Sequence, residues 1–150
     1  MNNKSMIMRR IGIYLIILIL IFGSTVMAER WAVSVDKCNV RSGPGEEFDV
    51  IWRVEKYYPL DVIDSKGKWR FFRDLDGDEG WIHSTLLNKA ETIVVKKNNC
   101  NIRSGPGTKY NITFIAEKGI PFKVLNREKQ WIQIEHTDGD KGWIHDSLVW

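Results

Sequence analysis

Cys38, His83, Cys100 and His145 are the residue types that zinc takes as ligands, and a cysteine beside a histidine base is also the smallest kit for a thiol nucleophile. Their spacing argues against both. Zinc sites draw ligands in close pairs, and none of these four lies within five residues of another. No stretch beyond residue 28 sustains a helical period, so no helix N-terminus is expected to lower a thiol pKa. Asp74, Asp76 and Asp78 in DLDGDEG stand at every second position, like the opening of a calcium loop. The glycine such a loop needs at its sixth position is Glu79 here, and the bidentate glutamate at its twelfth is Thr85. The letters are those of a hairpin turn, with Asp76-Gly77 as its two-residue loop. No catalytic residue, metal or cofactor is expected.

The elements that carry these residues follow from a repeat. Residues 38–45 read CNVRSGPG and residues 100–107 read CNIRSGPG. An offset of 62 aligns Cys38–Asn88 with Cys100–Trp150 without a gap, and 20 of the 51 positions are identical. The shared landmarks include Trp69 with Trp131 and the closing DGDxGWIH at 76–83 and 138–145. Within each copy, apolar residues alternate as in short strands, such as Val50, Trp52 and Val54, or Leu60 and Val62. SGPG supplies a proline for a turn and a glycine for positive φ after it. Several strands in some 60 residues, with no helix to cover an open face, predict a small closed barrel in each copy. The short polar connection Asn88–Glu91 implies barrels that touch or nearly touch.

Residues 1–28 have the parts of a secretory signal peptide: Lys4, Arg9 and Arg10, an apolar run from Ile11 to Phe22, and small residues at Val26 and Ala28. A mature chain beginning at Glu29 is expected, exported to the periplasm or beyond and without a membrane span, the alternative being an uncleaved anchor of marginal length. Removing that segment takes 3 of the 22 basic residues and none of the 19 acidic ones, leaving a neutral chain. A sequence pI near 8.9 therefore gives no support to nucleic-acid binding. Residues 29–89 carry 12 acidic and 10 basic groups, whereas residues 90–150 carry 7 acidic and 9 basic.

An exported chain with two cysteines often bridges them. Alternation puts Cys38 on the face of Val40 and Cys100 on that of Ile102, so each thiol is expected in its own core, too far from the other for a bond. An interdomain disulfide is the alternative. Six of the seven tryptophans, with Tyr57, Tyr58, Phe71, Phe72 and Tyr110, exceed what two small cores hold, so some must line a surface. Trp81 and Trp143 are expected mainly in the core. Arg41 and Arg103 follow the first strand, where a guanidinium either meets a carboxylate or holds the loop by its carbonyls. His83 and His145 are expected to hydrogen-bond at the closing turn.

NVRSGPG near the start, the tryptophan of WRFF and WIQI, and the closing GWIHSTLL or GWIHDSLV resemble the bacterial SH3 domain, and the whole resembles small exported tandem SH3 proteins. The resemblance implies an all-β fold: two SH3-like barrels, 29–89 and 90–150, behind a signal peptide. It further implies that Trp69 and Trp131 flank a peptide groove beside Arg41 or Arg103, with Trp81 and Trp143 as further ligand-binding candidates. The function expected is non-enzymatic docking on cell-wall peptide or glycan. The alternative is an adaptor for an envelope protein.

Overall fold

Period-two burial organises both halves into antiparallel strands. The computed structural model describes residues 27–150. The expected signal peptide lies outside them apart from Met27 and Ala28. The first half contains β1 (Glu29–Val33), β2 (Lys37–Arg41), β3 (Val50–Glu55), β4 (Pro59–Lys66), β5 (Trp69–Arg73), β6 (Glu79–His83) and β7 (Leu87–Asn88). The second contains β8 (Thr92–Val94), β9 (Cys100–Arg103), β10 (Ile112–Ala116), β11 (Pro121–Glu128), β12 (Trp131–Glu135) and β13 (Lys141–His145). Strand order is β3-β2-β6-β5-β4-β1-β7 in one sheet and β10-β9-β13-β12-β11-β8 in the other, so the second repeats the first. The bridge Val95 to Val149 stands where β1 pairs with β7.

Seven strands laid flat would put the outermost pair about 29 Å apart at the usual strand spacing. Yet Val54 of β3 and Leu87 of β7 share one apolar cluster with Val40, Leu60, Phe72 and Ile82. The sheet is therefore rolled around its core. A register shift between Val62 and Asp64 recurs between Val124 and Asn126, a bulge that helps each sheet bend. The second core gathers Ile102, Phe122, Ile132, Ile134 and Ile144 separately. Among the described residues no strand of one half completes the sheet of the other. The fold is all-β and built of two SH3-like units, as the sequence implies. The halves touch: Lys118 Nζ meets Asp76 Oδ1 at 2.6 Å, and the Arg30 guanidinium lies 3.5 Å over the Trp150 ring.

Three local expectations are corrected. The SGPG glycines do not adopt positive φ; what they provide is room, since a Cβ on Gly43 would lie 2.3 Å from the Phe48 ring and one on Gly105 2.5 Å from the Tyr110 ring. The Asp76-Gly77 turn is longer than two residues. Asp74 and Asp78 pair at its base, and the Asp74 carboxylate accepts from the N–H groups of Asp76 and Asp78 at 3.0 and 2.9 Å. Val50, at the edge of its sheet, is 42% exposed instead of facing the core.

Candidate functional site

The repeated RSGPG segment folds onto its own arginine. Arg41 Nη1 donates to the carbonyls of Glu46 and Phe48 at 3.0 and 2.7 Å, and Arg103 Nη1 donates to those of Thr108 and Tyr110 at 3.1 and 2.9 Å. The loop-holding reading of these arginines is the one observed. One nitrogen carries both bonds, which leaves Nε and Nη2 of each guanidinium outside them, and each arginine is among the residues lining its groove.

Along β6 the buried positions are Gly80 and Ile82, so Trp81 and His83 point outward. Trp69 lies opposite His83 in the ladder and Phe71 opposite Trp81. The outer face of β2, β6 and β5 thus presents Arg41, Trp81, His83 and Trp69 together, and β9, β13 and β12 present Arg103, Trp143, His145 and Trp131. Placing Trp81 and Trp143 in the core is therefore corrected: both are half-buried and face out. Strand β2 approaches β6 so closely that a Cβ on Gly80 would lie 2.3 Å from Val40 Cγ1, and one on Gly142 2.4 Å from Ile102 Cγ2. Small residues had to take the inward positions, which turned the indoles out.

A groove of about 250 Å³ opens in the first half between Asn39, Arg41, Glu46, Trp69, His83 and Leu86, with Lys37 at its rim and Cys38 in its floor. A groove of about 370 Å³ occupies the same place in the second. Every residue lining the first has its counterpart 62 positions on among those lining the second. Trp69 and Trp131 form one wall of each. Trp81 and Trp143 stay outside the grooves proper, one rung along the same sheet face. Trp81 packs on Phe71 with ring centroids 5.0 Å apart.

His83 and His145 do two jobs, of which the sequence suggested one. Each caps the short 3-10 turn that follows: His83 Nδ1 accepts from the Thr85 N–H, and His145 Nδ1 from that of Ser147. With Nδ1 accepting, the neutral ring carries its proton on Nε2. Each ring also meets a groove tryptophan edge-on, Trp69 with His83 at 5.2 Å and Trp131 with His145 at 5.4 Å. The zinc set is split two and two between the grooves, and among the described residues no three Cys, His, Asp or Glu side chains stand together as a metal site.

Cys38 and Cys100 are buried, unpaired and in separate cores. Burial pushes the Cys38 thiol up to about 11, and burial likewise raises Cys100, whose Sγ donates to the Lys97 carbonyl at 3.2 Å. Both stay protonated near neutrality and serve as packing.

The bacterial SH3 domain matches residues 34–89 and again 96–150. "Putative N-acetylmuramoyl-L-alanine amidase YrvJ" of Bacillus subtilis is 27% identical over 99% of this chain and 31% of its own length. "Probable cell wall amidase LytH" of Staphylococcus aureus is 38% identical over 31% of this chain and 16% of its own. This chain thus spans a third or less of the curated relatives it matches. A crystal structure of an NlpC/P60 family protein from Bacillus cereus aligns over 81% of this chain and 56% of its own, at 12% identity and a TM-score of 0.40. The amidase match overturns the expectation of a protein with no part in enzymatic turnover. That expectation rested on the spacing of the cysteines and histidines and on the missing helical period, neither of which bears on the rest of a relative of which this chain spans 31%.

Proposed function

Because this chain belongs to the bacterial SH3 domain family through both of its halves, we propose that it is the wall-holding part of a cell-wall hydrolase, gripping peptidoglycan peptide in two like grooves. The observation that carries this reading is the duplication: Arg41, Trp69 and His83 wall one groove, Arg103, Trp131 and His145 the other, at one fixed offset. A half-buried indole beside a guanidinium offers an apolar face and charge-assisted donors at once, which suits a short peptide bearing a carboxylate. Each shallow groove binds weakly alone. Two on one chain raise the effective concentration for a polymer that repeats its binding units. The substrate class comes from the relatives, one named as an N-acetylmuramoyl-L-alanine amidase and the other as a cell wall amidase. In this reading residues 1–28 export the chain, and 29–89 and 90–150 are the two modules. Among the described residues no helix is long and apolar enough to cross a membrane.

The test is co-sedimentation with purified insoluble cell wall. The chain is expected to pellet, and Trp69→Ala with Trp131→Ala to abolish pelleting while the unfolding temperature moves by only a few degrees. Retained pelleting in that double variant would overturn the groove assignment. Capture of one envelope protein, with no glycan fragments, would support the adaptor role instead.

A further inference from the structure

The two grooves share their walls but not their charge. Loop residues 46 and 47 are Glu and Glu in the first module, and their counterparts 108 and 109 are Thr and Lys. Residue 46 or 108 lines its groove directly and is tied there, its carbonyl accepting from Arg41 or Arg103. The first groove therefore has Lys37, Arg41 and the acidic Glu46 among its lining residues, with Glu47 next in the chain. The second sets Lys97 and Arg103 beside Thr108, with Lys109 next to it and no carboxylate among its lining residues. The exposed Asp146 carboxylate lies 3.3 Å from His145 Nδ1 and is not among the residues that line the groove. Over identical aromatic walls, the loop changes by three charge units.

We propose that the second module's groove is the carboxylate-selective one, binding the free C-terminal carboxylate of a peptide, and that Glu46 and Glu47 exclude that group from the first. The inference rests on both grooves being peptide sites and concerns what each selects. Exposed loop charges act through water, and three unit changes at roughly 8 Å are worth about five- to tenfold in affinity at low salt. A polymer chain with both free and blocked peptide termini could then engage both modules at once, each at its preferred group.

The experiment uses the two-module chain with 15N-labelled indoles and two probes, N-acetyl-alanyl-alanine and its C-terminal amide. The Trp131 Nε1–H is expected to report five- to tenfold tighter binding of the free acid than of the amide, with the preference fading as salt rises. The Trp69 Nε1–H is expected to show no such preference. Exchanging the loop charges moves the selectivity: Glu46→Thr with Glu47→Lys installs it at Trp69, and Thr108→Glu with Lys109→Glu removes it at Trp131. All four positions are exposed, so the swaps leave folding intact. Equal preference at both indoles, or a preference that survives the swap, overturns the charge assignment while leaving the grooves as peptide sites. No response at either indole to either probe sinks both.

Discussion

The Trp69 indole stands edge-on to the His83 imidazole, ring centroids 5.2 Å apart and planes at 86°, and Trp131 repeats this with His145 at 5.4 Å and 90°. In each pair the histidine is held from behind by the 3-10 turn it caps. Cap and wall can be separated by substitution. Asparagine caps well but has no ring, so His83→Asn with His145→Asn should stay within about 1 kcal/mol of the parent while wall pelleting falls several-fold. His→Ala at either site loses the cap too and should cost about 1 kcal/mol, read as a drop of several degrees in unfolding temperature. Equal pelleting by the Asn variants would show that the rings do not position the tryptophans.

Arg41 and Arg103 each close an eight-residue loop through two carbonyls on one nitrogen. Lysine keeps the charge but not the planar fork. Arg41→Lys should therefore cost roughly 1–2 kcal/mol and speed amide exchange in residues 42–49, leaving β4 and β5 protected. Comparable speeding throughout the sheet would mean that the loop and barrel open as one unit.

Much of the fold was legible because the repeat is gap-free and because alternation marks an inside. Cys38 with Val40, and Cys100 with Ile102, are buried as the pattern requires. The site was legible only in part. Trp69 and Trp131 line the two grooves, but in GWIH the alternation allows either Gly and Ile or Trp and His to face inward. Hydrophobicity favours the tryptophan, and the close approach of β2 at Gly80 decides otherwise. Glu46 and Thr108 carried no motif signal, since they enter the grooves only through the arginine bonds that fold their loop. The glycines of SGPG were read through φ, yet the constraint on Gly43 and Gly105 comes from Phe48 and Tyr110, ring neighbours that local turn rules do not include.

That close approach gives a coupled prediction. Gly80→Ala drives a methyl into Val40, and overpacking of this kind costs about 1–3 kcal/mol. Val40→Ala alone removes buried methyl groups and also destabilises. Together they should cost less than the sum, with a coupling of at least about 1 kcal/mol in denaturant unfolding. Strict additivity would show that β2 relaxes away from the new methyl.

The buried thiols link stability to alkaline pH. In the folded chain the Cys38 pKa is raised to about 11 from an ordinary 9.0, because burial penalises the thiolate. As pH climbs through the ordinary value, the unfolded chain releases the proton while the folded chain keeps it, so the unfolded state is favoured progressively. Stability is thus fully present below pH 9.0 and falls between there and about 11. Cys38→Ser removes the titrating thiol, and although a buried hydroxyl lowers stability at every pH, the slope across that window should be shallower than in the parent. Native thiols should resist an aromatic disulfide reagent at pH 8 and react at both positions once guanidinium unfolds the chain. Prompt reaction of either cysteine in the native state, or an unchanged alkaline slope in the serine variant, would contradict the burial of each thiol in its own core.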